Sequence, residues 1–120
     1  MTATIPTIQP DSFFIGDTLK YKITLTDYLA SDGWTLYYVL INSSSKIEFN
    51  SSASGDDHLV NVAPAVTELY IAGTYNWQSY VSDGTDRFTI DTGEMIVKTN
   101  YSEEDTFDAR SDVQKIFEAL

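Results

Sequence analysis

The sequence predicts a mainly β protein, an immunoglobulin-like β-sandwich of about seven strands followed by a short C-terminal helix. Three observations support this fold class. Segments rich in aromatic and β-branched residues alternate with turn residues at the spacing typical of sandwiches. One segment, residues 34–41, is apolar on both alternating faces, as central strands are. The last twenty residues of the 120-residue chain lose this pattern and acquire helical periodicity.

The first half of the chain contains three expected strands. Residues 3–8 are expected to form an edge strand, because Pro6 cannot donate to a ladder on its own side. Residues 18–25 alternate cleanly between apolar and polar side chains, which indicates a half-exposed strand. Residues 34–41 follow the turn dipeptide Asp32-Gly33, and both of their faces are apolar. We therefore expect one face of this strand in the core and the other under a neighbour or a partner.

The second half of the chain continues the pattern to residue 98. Pro64 can open a helical turn within residues 63–72, which we expect to cross between the sheets. Asp83-Gly84 is a hairpin signal, and Gly93 suggests a bulge in the last strand. The expected strands are 46–51, 58–62, 74–81 and a last strand that covers 86–90 and resumes at 94–98 after the bulge.

The expected core has no disulfide, because the chain contains no cysteine. We expect Trp34 and Trp77 to fill the space between the sheets instead. A small closed barrel is the structural alternative to the sandwich.

Residues 1–99 are thus predicted to form the sandwich, and residues 100–120 an acidic linker and a helical arm. Ser111-Asp112-Val113-Gln114 has the form of a capping box at the start of the helix. The helix spans about nine residues, too few to be stable alone, so it either docks or is the first part of a longer structure. We favour docking on a neighbouring subunit. Its apolar face, the predicted partner-binding site, consists of Val113, Ile116, Phe117 and Leu120.

The composition argues against several functional classes. A net charge of −11 disfavours nucleic-acid binding, and the apolar runs are too short for a membrane-spanning helix. One histidine, His58, and no cysteine leave no basis for a histidine- or thiolate-based metal cluster. The Asp-rich stretches 54–57 and 83–86 are interpreted as turns, because neither has the spacing of an EF-hand. We expect no cofactor, no metal and no catalytic site.

Several motifs resemble a family of small structural proteins of tailed phages and prophages, found among head and head–tail joining genes. Longer members of that family add a helical region similar to the lambda-type head-completion protein W, and the stretch from Asp108 sits where that region would begin. The motifs cover roughly residues 5–98 and resemble core and turn determinants rather than catalytic residues. They are Pro10-x-x-Phe13-x-x-Gly16-Asp17-Thr18, Asp27-Tyr28-x-Ala30-x-Asp32-Gly33-Trp34-x-Leu36-x-Tyr38, Ser54-Gly55-Asp56-Asp57-His58-Leu59-Val60 and Gly73-x-Tyr75-x-Trp77-Gln78-x-Tyr80-Val81.

The resemblance implies a non-enzymatic virion protein that is assembled in the cytoplasm of the bacterial host. Its expected position is the head–tail connector, next to the neck or portal, with capsid decoration as the second choice. Its expected partners are other virion proteins (portal, neck or capsid), and the protein is expected to be a homo-oligomer in the particle. The alternative from another functional class is a carbohydrate-binding or adhesion module that uses exposed Tyr and Trp side chains.

Overall fold

The described chain folds into two β-sheets that face each other, which confirms the predicted mainly β sandwich. The structure is a computed structural model that describes residues 5–101. A short helix, α1 (Pro64–Thr67), connects the two sheets, and a single 3₁₀ turn covers Ala30–Asp32. The strands are β1 (Ser12–Phe14), β2 (Leu19–Ile23), β3 (Thr35–Ile41), β4 (Lys46–Asn50), β5 (Ser52–Ser54), β6 (Asp57–Val62), β7 (Gly73–Ser82) and β8 (Arg87–Lys98).

The strand order is that of an immunoglobulin-like sandwich. One sheet has the order β1-β8-β7-β3-β4 and the other the order β2-β6-β5. All neighbouring strands are antiparallel except β1, which lies parallel to β8. Because the two sheets share no strand, the closed barrel is excluded in favour of the sandwich.

A tyrosine corner closes the connection between the sheets. Tyr75 lies near the start of β7, and its hydroxyl donates to the backbone carbonyl of Ile71, four residues upstream. The same connection is tied to the loop before β2, because the Thr67 hydroxyl donates to the Asp17 carbonyl at 2.8 Å. The Gly16 N–H in turn donates to that hydroxyl at 3.0 Å. These bonds fix the crossing predicted for residues 63–72.

The inner faces of the two sheets form one hydrophobic core. Contrary to the prediction, Trp34 and Trp77 are only partly buried and pack against this core from its margin. The centre is instead occupied by large side chains from strands of both sheets, which leave no room there for the indoles. The largest side chains with almost no exposure are Tyr21, Tyr75, Leu36, Leu40 and Met95.

Two short strands differ from the prediction. The first strand of the described chain is β1, and residues 5–8 of the predicted strand 3–8 form no strand. Strand β1 pairs with β8 so that Phe13 lies opposite Val97 in the core. Among the earlier residues, the Pro6 carbonyl accepts one backbone bond, from Lys22 at 2.8 Å. The second is β5, which lies between the expected strands 46–51 and 58–62 and pairs with β6.

The bulge expected at Gly93 lies elsewhere. Strand β8 is continuous, and the irregularity in its pairing with β7 falls between Ser79 and Tyr80. Gly93 pairs regularly with Trp77, and a Cβ atom at position 93 would lie 2.9 Å from the indole Nε1. The glycine therefore makes room for the indole ring rather than for a bulge.

The predicted helical arm lies outside the described residues, and so does Glu103-Glu104-Asp105 of the predicted acidic linker. At the end of the described chain, the Asn100 side chain donates to the Asp17 carboxylate at 3.1 Å. Within residues 5–101, no helix has the length and hydrophobicity that crossing a membrane requires.

Candidate interaction surface

His58 has a structural role in the core. Its side chain is fully buried, and its Nε2 lies 2.7 Å from the Tyr28 carbonyl oxygen, to which it donates. The Nδ1 atom is then the acceptor, and the hydroxyl of Ser51 lies 3.3 Å from it. That hydroxyl accepts a bond from the backbone N–H of Leu36. The chain of bonds ties β3, β6 and the loop before β3 together, out of reach of any substrate.

The Asp-rich stretches are turns, as interpreted from the sequence. The carboxylate of Asp83 accepts the backbone N–H groups of Asp86 and Thr85, which hold the pKa of Asp83 below its usual value. The carboxylate of Asp56 accepts a bond from the Ser31 hydroxyl, and that of Asp57 one from the Thr24 hydroxyl. Among the described residues, no three acidic or histidine side chains converge in a group that could hold a metal ion.

The outer face of the larger sheet is the clearest candidate for a binding surface. Because side chains alternate along a strand, Leu36, Tyr38 and Leu40 of β3 point into the core and the residues between them point outward. No strand or helix of the described chain covers that outward side. We define the tyrosine face as Tyr37, Val39, Ile41, Tyr80 and Arg87.

A row of stacked planar groups runs across the tyrosine face. Tyr37 and Tyr80 are register partners on β3 and β7, with ring centroids 5.0 Å apart and ring planes only 12° from parallel. This separation matches the distance between neighbouring strands. The guanidinium carbon of Arg87 lies 3.6 Å from the centroid of the Tyr80 ring. Tyr37 and Tyr80 cover each other's facing ring surfaces, and the Arg87 guanidinium covers Tyr80 as well. These ring faces are therefore unavailable to a ligand.

Apolar side chains extend the tyrosine face toward the end of the sheet where the described chain stops. Ile41 is 51% exposed, Ile96 46% and Phe14 43%. A cleft of about 240 Å³ lies beside the stacked row, and Glu48 and Asn50 contribute to its lining. A mixed apolar and aromatic surface with polar margins is the usual composition of a protein–protein interface.

The comparisons with known proteins support the fold. No protein-family model and no curated protein matches this sequence. The structure is similar to the crystal structure of a "putative glycoside hydrolase" from Bacteroides vulgatus ATCC 8482, with a TM-score of 0.52 and 15% sequence identity. The match covers 76% of this chain and only 17% of the other, so the similarity concerns one module of a much longer protein. At this identity it shows the fold alone.

The sequence indicated part of this surface and missed the rest. It predicted that the second face of residues 34–41 lies under a neighbour, which identifies the side that carries Tyr37. The contributions of Tyr80 and Arg87 could not be foreseen, because they depend on the register of β7 against β3 and β8. The predicted partner-binding residues Val113, Ile116, Phe117 and Leu120 lie outside the described part of the chain.

Proposed function

We propose that this protein is a non-enzymatic structural component of a tailed-phage particle, located at the head–tail connector and held there by protein–protein contacts. The observation that carries the binding role is the tyrosine face. Tyr and Arg are over-represented among the residues that dominate binding energy at interfaces. A row of such side chains that are already ordered loses little side-chain entropy when a partner binds.

The placement in a phage particle rests on the motif resemblance. Several residues of these motifs lie in turns or in the core, as a rigid module requires. The Gly16 N–H donates to the Thr67 hydroxyl, and the Asp17 carbonyl accepts from it. Gly33 ends the 3₁₀ turn with a positive φ of 95°. Within this class, attachment at the neck or portal is the first choice and capsid decoration the second. The partners are then portal, neck or capsid proteins and other copies of this chain.

The C-terminal segment is the second proposed contact. Val113, Ile116, Phe117 and Leu120 form the apolar face of the helix that the sequence predicts, and we propose that this face docks on a neighbouring subunit. The segment starts from a fixed point, because the Asn100 side chain is bonded to Asp17 at the edge of the sandwich. The sandwich is then the rigid body of the subunit, and the segment is its arm.

Carbohydrate binding is the competing function. It is suggested by the partly exposed Tyr37 and Tyr80 and by a structural neighbour described as a "putative glycoside hydrolase". Sugars stack on the flat faces of aromatic rings. The nearly parallel Tyr37 and Tyr80 rings cover each other and Tyr80 also lies under Arg87, so both faces of Tyr80 and one face of Tyr37 are occupied within the protein. The geometry therefore favours a protein partner.

The experiment compares two variants of the full chain in purified particles. Tyr37→Ala combined with Tyr80→Ala should fold normally but be depleted from particles and lose co-purification with portal or neck protein. The matched control is Lys20→Ala combined with Asn61→Ala, which changes two exposed register partners on the outer face of the smaller sheet. Normal incorporation of the tyrosine variant would contradict the assignment of this face. Absence of the unmodified protein from particles, together with selective glycan binding, would favour the competing function.

A further inference from the structure

A second surface, distinct from the tyrosine face, lies at the loop end of the sandwich. It is formed by three aromatic side chains, Tyr28, Trp34 and Phe88, which we call the aromatic triad. The ring centroids are 5.0 Å apart for Tyr28 and Trp34, 5.6 Å for Tyr28 and Phe88, and 5.9 Å for Trp34 and Phe88. Phe88 remains 45% exposed, and Tyr28 and Trp34 are partly exposed at the margin of the core. The triad is therefore a compact apolar patch that opens to solvent.

The triad and the tyrosine face point in different directions. Phe88 and Arg87 are consecutive residues of β8, so their side chains leave opposite sides of the sheet. Arg87 lies over Tyr80 on the outer face, whereas Phe88 contacts the loop before β3 on the inner side. A partner can thus occupy either surface without the other.

Acidic residues flank the triad along the chain. Asp27, Asp32 and Asp86 each lie within two residues of one member of the triad, and all three are exposed. None of these three carboxylates makes a hydrogen bond or an ion pair with any described residue. In contrast, the carboxylates of Asp56, Asp57 and Asp83 accept hydrogen bonds from other residues. A cleft of about 250 Å³ runs beside the Tyr28 ring, with Asp27 and Ile90 in its lining.

The loops that carry these groups are held in place by the rest of the fold. The Ala30 N–H donates to the Asp56 carbonyl at 3.0 Å, and the Tyr28 carbonyl accepts the bond from buried His58. The hairpin that precedes Phe88 is closed by a bond from the Asp83 N–H to the Asp86 carbonyl. Aromatic rings and carboxylates on a fixed base form a preorganised surface.

We infer that the aromatic triad binds a lysine- and arginine-rich segment of a partner protein. The rings offer cation–π contacts and apolar contact with the side-chain stems of such residues. The three uncommitted carboxylates supply the complementary charge, and they also speed the encounter with a cationic partner. The only basic residue in the adjacent hairpin, Arg87, is on the other side of the sheet.

Octalysine is a suitable probe, and the fluorescence of Trp34 reports its binding. The full chain with Trp77→Phe contains Trp34 as its single tryptophan. Octalysine should change this fluorescence saturably, with an affinity that falls as salt is added, and octaglutamate should have no effect. No response to octalysine at low salt would overturn the inference.

Two charge-matched variants separate local binding from attraction to an acidic protein. Asp27→Asn with Asp32→Asn and Asp86→Asn should weaken octalysine binding roughly tenfold, as expected for the loss of three exposed ion pairs. Asp11→Asn with Glu68→Gln and Glu94→Gln removes the same charge elsewhere and should weaken binding less than about twofold. Equal weakening by both variants would mean that net charge alone attracts the peptide, which would refute a site at the triad.

A ring variant tests the aromatic contribution. Because Phe88 is half exposed, Phe88→Ala should leave the fold intact and weaken octalysine binding by roughly two- to fivefold, the size of an exposed cation–π contact. Unchanged affinity in this variant would contradict a role for the rings. A change in Trp34 fluorescence on dilution of the protein without peptide would assign the surface to a second copy of the chain and overturn the proposed partner.

Discussion

The two faces of β3 have nearly the same apolar character and opposite surroundings. Leu36, Tyr38 and Leu40 are 1%, 3% and 0% exposed because the smaller sheet packs against them. On the other face Ile41 is 51% exposed, and no described element lies over it. Hydrophobicity alone therefore marks the strand as central without deciding which face belongs to the core. The uncovered face is the one for which we propose a partner.

The largest effect is expected from paired substitutions at neighbouring positions of β3. Leu40→Ala removes a fully buried side chain and should lower the free energy of unfolding by about 2–5 kcal/mol. Ile41→Ala, on the opposite face, should lower it by less than about 1 kcal/mol in the isolated protein. Urea denaturation of the two variants measures both values. Similar losses at the two positions would show that the outer face is also covered, and the contrast between the faces would fail.

The sequence predicted those parts of the fold that local chemistry determines. Alternation identified β2 and β3, and Asp83-Gly84 identified the hairpin, in which Gly84 has a φ of 96°. It failed where the decisive contact is distant in sequence. Strand β1 forms by pairing with β8, which lies more than 80 residues away in sequence. A strand of three residues has too short a pattern to predict this pairing.

The same limit applies to the core and to the candidate surface. Bulk and hydrophobicity predicted that both tryptophans fill the core, but strand register places Trp77 beside Gly93 at its margin. The stacked row of Tyr37, Tyr80 and Arg87 likewise exists only once three strands are in register. Periodicity identifies which side of a strand a residue occupies, and it cannot identify the neighbour across the sheet.

The substitution Gly93→Ala tests the close packing of Trp77 against β8 at the margin of the core. The added methyl group would lie 2.9–3.0 Å from the Trp77 indole, so the ring must move or the strands must separate. We expect a loss of about 1–3 kcal/mol in the free energy of unfolding, as for other overpacked sites. Combining it with Trp77→Leu should recover part of that loss, and a double-mutant cycle in denaturant measures the coupling. Purely additive effects would contradict a contact between residue 93 and the indole.

A smaller effect of opposite sign is expected from Tyr21→Phe. The Tyr21 hydroxyl is buried, and apart from an electrostatic interaction with Tyr38 it has no hydrogen-bond partner of good geometry among the described residues, so its removal should stabilise the protein by about 1 kcal/mol. Thermal and urea denaturation at neutral pH would measure this gain. A loss of stability instead would mean that the hydroxyl forms a favourable bond in the folded protein.

The same substitution should alter the response to alkaline pH. Burial raises the pKa of Tyr21 and raises that of Tyr38 to about 12. Their stabilising contribution is complete below the ordinary tyrosine pKa of about 10 and declines above it, because only the unfolded chain then ionises readily. Stability should therefore fall between pH 10 and 12, and Tyr21→Phe should reduce that fall. An identical alkaline decline in both proteins would contradict a buried neutral Tyr21.

The smallest effect on stability is expected from removal of residues 102–120. The inner faces of the two sheets already bury each other's side chains, so we expect the shortened chain to unfold within about 0.5 kcal/mol of the full chain in urea. Its incorporation into particles should nevertheless be lost, because the proposed contacts of Val113, Ile116, Phe117 and Leu120 are made with a neighbouring subunit.

If those side chains instead pack on their own sandwich, each contributes roughly 1.5–3 kcal/mol when fully buried. The nearest place for such packing would be the connection between the sheets, where Val66, Leu69 and Ile71 are exposed. This connection is bonded to Asp17, and Asp17 also accepts the bond from Asn100. A loss of several kcal/mol on truncation would thus replace the arm by a segment that covers the sandwich, and Leu69→Ser in the full chain should then cause a similar loss.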